Sequence, residues 1–351
     1  MREIWIDYLR VIAAIAVIII HVTAGFLINS NTGTIDWWIG LYFDGAMRFC
    51  VPLFVMISGS LLLSKRYSLK DHLKKRFQKV LLPFIFWSII YILYDLIFPV
   101  LKGDSIYFMP SLKYITSGLF FGVRGHLWYV YMILGLYLFI PYLQKWTSQY
   151  KKNEMYLFLS LWSVTLIVNW FISSAPGAKG YSFVRGFDLS YFSGFVGYLV
   201  LGFFLYKNNF LNNKMGNFYL ICLIVLGLMI TYFGTYYISK PTGLFKSNFF
   251  RYLTPNVAMV SIGLFLLFKN NFNKIFPQRL INSVLQNISK YSYGIYLSHV
   301  FVLGMLRHIG INRHFINPLI GTISTTTSCL LLSLIITIII NKLPFGKFVS
   351  G

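Results

Sequence analysis

Runs of predominantly apolar residues long enough to cross a bilayer recur along the whole chain, and nothing else in the sequence constrains the fold as tightly. About 20 such residues span the hydrocarbon core as a helix. Segments of that kind lie near residues 6–28, 42–64, 80–100, 127–145 and 155–173, and again near 189–207, 217–238, 252–268, 289–307 and 317–341. In lipid every backbone N–H and C=O must be satisfied within the protein, which favours helices over isolated strands. The expectation is an all-α, polytopic integral membrane helical bundle with about ten transmembrane helices. The composition agrees. Of 351 residues 57% are hydrophobic and 11% charged, where a soluble domain carries about a quarter charged residues. Tyr and Phe number 25 and 34, a supply suited to many membrane-interface positions.

The formal charge is +22, from 31 Lys and Arg against 9 Asp and Glu. No basic soluble module exists to hold nucleic acid, so no nucleic-acid partner is expected; cytoplasmic loops facing anionic membrane lipids account for the excess. Ten spans put both termini on one side. With the N-terminus inside, the loop at 65–79 alone holds seven Lys or Arg. Nineteen cations then face inward and ten outward, with Arg10 and Arg48 left inside the bilayer. The positive-inside rule therefore places both termini in the cytoplasm. Residues 1–351 read as a single membrane domain with no separate soluble domain. The first apolar segment lacks a small-residue cleavage site and reads as a retained helix. Residues 101–126, with "SGLFFGVRG", read as a connection that dips into the membrane. Cys50, Cys222 and Cys329 fall in apolar segments without metal-ligand spacing, so core packing is expected of them and no metal.

Ionisable residues at membrane depth are costly and mark function. The first span, "WIDYLRVIAAIAVIIIHV", holds Asp7, Arg10 and His21. At ~100° per residue, the eleven-residue step from Arg10 to His21 returns to the same face, roughly 16 Å further along the axis. Asp7 lies one turn from Arg10, placed for an ion pair. Only Ala14 and Val17 lie between them on this face, leaving room for a slender ligand. In the second span Asp44 and Arg48 are i,i+4 partners, readable as a structural pair or as part of a site. An antiparallel hairpin of these two spans brings Arg48 to the depth of His21. "RGHLWYVY" places His126 and Trp128 at the outer start of the fourth span, where interface anchoring is the competing reading. "SKYSYGIYLSHV" sets Tyr296 and His299 inside the ninth.

These four segments together resemble the acyltransferase-3 family of bacterial membrane O-acyltransferases. The likeness rests on Arg10 and His21 in the first helix and on "RFCVPLFVMISG" at 48–59. It extends to "HLW" at 126–128 and "SYGIYLSH" at 292–299, in order and with family-like spacing. The nearest type is the stand-alone O-acetyltransferase of surface polysaccharides. The resemblance implies acyl transfer, most simply of acetyl, from cytoplasmic acyl-CoA to a hydroxyl of a cell-envelope polysaccharide or lipid-linked glycan, in a multi-pass protein of the bacterial plasma membrane. It implies His21, Arg48 and His126 as catalytic residues and Asp7, Arg10, Trp128 and His299 as contacts to acetyl-CoA. A histidine with a pKa near 6.5 suits the base that a hydroxyl needs, and arginine suits a polarised carbonyl or a phosphate. The competing class is an exporter or flippase of a polysaccharide or lipid-linked sugar, which would use the same buried charges as substrate sites.

Overall fold

The computed structural model describes residues 3–65, 67–101, 118, 122–174, 194–275 and 281–350. Every regular element among them is helical. In chain order the helices are α1 (Ile4–Asn29), α2 (Ile35–Met47), α3 (Cys50–Leu62), α4 (Leu69–Arg76), α5 (Leu82–Leu101), α6 (Trp128–Gln149) and α7 (Lys152–Ser174). They continue with α8 (Val196–Lys207), α9 (Lys214–Ser239), α10 (Pro255–Ile275), α11 (Ile281–Lys290), α12 (Ser292–His308) and α13 (Pro318–Lys342).

Among the described residues seven helical stretches are long and apolar enough to cross a membrane: Ile4–Asn29, Ile35–Leu62, Leu69–Ile97, Gly125–Gln149, Lys152–Ile172, Lys214–Thr242 and Pro318–Lys342. The three other expected spans correspond to α8, which is short, to α10, which carries polar residues toward its end, and to α12, of 17 residues. The outer faces are apolar. On α9 alone Phe218, Ile221, Val225, Leu226, Met229 and Phe233 are exposed, a band that water would not tolerate and lipid does. Cys222 belongs to this exposed face, which departs from the core packing expected of it, whereas Cys50 and Cys329 are buried. The connection at 101–126 lies largely outside the described residues.

α1 is the hub, packing against α2, α3, α10, α11, α12 and α13. That position follows from its sequence: Ala13, Ala14 and Ala16 are buried and let neighbours approach closely. Asp7 is buried as well and accepts from the Ser289 hydroxyl at 2.7 Å, with Arg10 3.6 Å away.

Two prolines shape the walls. Pro52 has no N–H and its ring crowds the carbonyl four residues back, which belongs to Arg48. The helix accordingly breaks between α2 and α3 at Arg48 and Phe49. Pro83 acts alike on the start of α5, where residues Phe77–Leu81 form a π-turn and the Tyr293 hydroxyl donates to the Val80 carbonyl at 2.9 Å.

α3 and α8 cross with backbones in contact at two glycines. A Cβ on Gly59 would fall 1.8 Å from the Leu199 carbonyl oxygen, and one on Gly202 would fall 2.1 Å from that of Met56. Backbone cannot rotate away as a side chain can. Gly59→Val is therefore expected to cost at least about 2 kcal/mol, read as a lower melting temperature of the detergent-solubilised protein. Gly135→Ala is the control: it faces open space in the interior of α6 and should be neutral or stabilising. Equal melting temperatures for the two variants would show that the crossing is not tight.

Candidate active site

Three helices deliver three histidines to one point. His21 comes from α1 and His299 from α12, while His126 sits in the 3-10 turn Gly125–Leu127 that leads into α6. The ring centroids of His21 and His299 are 4.9 Å apart, those of His126 and His299 5.0 Å, and those of His21 and His126 5.9 Å. His299 is fully buried and its Nδ1 lies 2.5 Å from the Tyr296 carbonyl. A carbonyl only accepts, so Nδ1 carries the hydrogen and Nε2 presents a lone pair. The Nε2 atoms of both His299 and His126 are buried without a hydrogen-bond partner. Buried polar atoms are rarely left so.

The cluster is held from behind by tyrosines. The Tyr296 hydroxyl donates to the His126 carbonyl, and its ring lies 5.7 Å from each of His126 and His299. Tyr91, from α5, has its ring 5.6 Å from His126. Its hydroxyl donates to the Leu297 carbonyl at 2.8 Å and accepts from the Phe301 N–H at 3.1 Å. Those are the backbone groups that close the helical turn carrying His299, so Tyr91 ties α5 to that turn.

Two cavities approach the cluster from opposite ends of the bundle. One, of about 640 Å³, is lined by Arg10 near the start of α1, by Leu61 at the end of α3 and Lys65 just beyond it, and by Lys290 at the end of α11. Arg76, Lys79 and Lys347 add charge, no carboxylate among the described residues lines this chamber, and Tyr296 and Tyr129 close it. The other, of about 560 Å³, is lined by Asn29 at the far end of α1, Arg307 at the end of α12 and Thr325 near the start of α13, and it reaches His21 and Tyr91. Of the three histidines His21 alone is exposed, and it is exposed to this second chamber. Ala14 and Val17 are buried between the two. The helix face from Arg10 to His21 is therefore not an open groove; the wall between chambers consists of Tyr296 and the buried histidines.

Arg48, at the Pro52 break, is 2.5 Å from Asp44, and its guanidinium carbon stands 4.9 Å from the Phe250 ring centroid and 5.7 Å from that of Tyr252. It is close enough to His21 to interact electrostatically, and it faces a third cavity of about 550 Å³. Trp128 lines that same cavity, stacked on Tyr252 at 5.6 Å, and not the chamber that holds Arg10. Arg10 lines the first of these chambers, with Asp7 buried behind it at 3.6 Å, and His126 and His299 lie within the wall. No set of three or more His, Cys, Asp or Glu among the described residues is arranged to hold a metal ion.

A family model described as an acyltransferase domain, acyltransferase-3, matches residues 3–342. The chain belongs to the acyltransferase-3 family. It is a membrane acyltransferase. No curated protein and no solved structure matches the chain. Sequence reasoning singled out all three histidines but missed Tyr91, Tyr129 and Arg124. Tyr91 had a signal: it stands in "YILYD", one turn before Asp95, the only acid of its apolar segment. Arg124, in the flagged "RGHLW", pairs with that Asp95.

Proposed function

We propose that the protein transfers acetyl from cytoplasmic acetyl-CoA to a hydroxyl of a cell-envelope polysaccharide or lipid-linked glycan. We place it in the bacterial plasma membrane, with about ten spans and both termini in the cytoplasm. The observation that carries the proposal is the pair of cavities converging from opposite ends on one histidine cluster, one reaching Tyr296 and the other His21. The cations that line the inner chamber, Arg10, Lys65, Arg76, Lys79, Lys290 and Lys347, suit the phosphates of CoA. His21 takes the proton of the acceptor hydroxyl, the hydroxyl oxygen bonds to the thioester carbonyl carbon, and the C–S bond breaks. The proton then leaves with the CoA thiol. Arg48 lies near enough to offset negative charge on the carbonyl oxygen as it develops. An exporter remains the competing reading of the buried charges, and family membership favours the enzyme.

The deciding experiment uses purified full-length protein in lipid vesicles, supplied with labelled acetyl-CoA and unacetylated envelope glycan. Label in the glycan, dependent on the protein, is the expected result; translocation without label would leave the exporter. Arg10→Gln should raise the apparent KM for acetyl-CoA about tenfold, since a charge-assisted contact within the inner chamber is lost. An unchanged KM would remove Arg10 from the donor site. Orientation is testable separately, in a background without the exposed Cys222. A cysteine introduced at Lys74 should resist membrane-impermeant labelling of intact cells, because seven cations between 65 and 79 hold that loop inside. Ready labelling would reverse the direction of transfer.

A further inference from the structure

The outer chamber carries more positive charge than its surroundings neutralise. Arg124, Arg307 and Arg313 line it together with His21. Arg124 is paired with Asp95, and His314 faces Asp36 at 3.8 Å. Neither Arg307 nor Arg313 has an ion-pair partner among the described residues.

Arg313 is also seated, not loose. It lies in the connection between α12 and α13, outside the spans, yet its guanidinium packs 5.4 Å from the Phe26 ring centroid of α1. A Cβ on Gly25 would fall 2.1 Å from its Nη1, and one on Gly321 would fall 2.4 Å from its carbonyl oxygen. Two glycines, one on α1 and one on α13, thus leave the room that Arg313 occupies. Burial, and then the neighbouring Arg307 charge, lower its pKa from the ordinary arginine value, while Asp36 offsets part of the effect. An arginine stays charged all the same. The structure therefore holds two like charges on one concave wall that leads to the exposed histidine. Guanidinium groups in that arrangement bind phosphate or carboxylate, and the repulsion between them is relieved when they do.

We propose that the acceptor is anionic: Arg307 and Arg313 hold a phosphate or carboxylate of the glycan while one of its hydroxyls reaches His21. The inference rests on the acyl-transfer reading above and adds the class of acceptor to it. A neutral glycan would leave both guanidinium groups facing an uncharged partner, and the chamber would then discriminate poorly.

The test uses the full-length protein in phosphatidylcholine vesicles, labelled acetyl-CoA, and envelope glycan from cells that lack the gene, separated into anionic and neutral fractions. Label is expected in the anionic fraction, with kcat/KM at least about tenfold above the neutral one. Replacing both residues (Arg307→Ala with Arg313→Ala) should lower that preference about tenfold. The charge-preserving pair Arg307→Lys with Arg313→Lys should retain most of it, which separates lost charge from lost fold. Equal efficiency toward the two fractions, or a preference that survives the alanine pair, overturns the anionic acceptor. Vesicles containing phosphatidylglycerol form a further arm. Inhibition there that the alanine pair relieves would assign the two arginines to lipid headgroups and overturn the proposal. Label in neither fraction overturns the acyl-transfer reading and this inference with it, and so is distinguishable from failure of the inference alone.

Discussion

Replacing His21 with alanine is expected to abolish acyl transfer, by at least about a hundredfold, while the protein still folds and inserts. The size follows from the position. His21 is the one member of the histidine cluster open to the chamber lined by Arg307 and Arg313, and His126 and His299 are buried behind it. Neither can reach an acceptor hydroxyl in its place. The fold should tolerate the change because His21 is exposed and no hydrogen bond from its ring is needed to hold α1, whose packing comes from Ala13, Ala16 and their neighbours. His21→Gln is the sharper variant, since it keeps most of the volume and the polarity but has no nitrogen that takes a proton. Rates are to be compared in purified, monodisperse protein by label transferred to glycan. Near-native transfer by either variant would end the role of His21. His299→Gln tests the neighbour: a loss through changed pH dependence, and not through KM alone, would show that it acts on His21.

The second large effect is expected at Asp44, on stability and not first on rate. Asp44 is 1% exposed and stands 2.5 Å from Arg48, whose guanidinium otherwise faces the rings of Phe250 and Tyr252. Asp44→Ala leaves that cation inside the bundle with aromatic faces as its main compensation. Breaking a buried pair from one side costs about 3–5 kcal/mol, because the remaining charge is uncompensated. A marked loss of melting temperature and of monodisperse protein is the measurable result. Removing both charges, as Asp44→Leu with Arg48→Met, should recover much of the loss. That double variant also separates two roles of Arg48. If it folds and transfers acetyl normally, Arg48 serves structure alone; if it folds and is inactive, the charge is needed at the carbonyl. Wild-type stability in Asp44→Ala would mean that another group compensates Arg48.

Local spacing was enough to read several features from the sequence. The eleven-residue interval puts Arg10 and His21 on one face of α1, and the structure gives each a chamber at its own end of that face. The i,i+3 and i,i+4 pairs Asp7–Arg10 and Asp44–Arg48 form as their intervals require. Each of these is settled within about two turns of one helix, where geometry repeats without reference to the rest of the chain.

What the tertiary structure alone decided are the contacts between helices. His21, His126 and His299 converge from distant segments, and the Tyr91 hydroxyl meets a carbonyl 206 positions away. Trp128 stacks on Tyr252 beside Arg48, which no interval in the sequence announces. Ala14 and Val17, small enough to suggest a groove, are covered by neighbouring helices, so one passage became two chambers and a wall. Gly59 and Gly202 read as isolated glycines until α3 and α8 cross. The physical reason is the solvent. In water an apolar face points inward and so reports its partner side, but a lipid-facing surface is as apolar as a buried one. Hydropathy therefore reveals which segments are helices in the membrane, while the order in which they pack is set by close approach at small residues and by the few polar groups that must find each other.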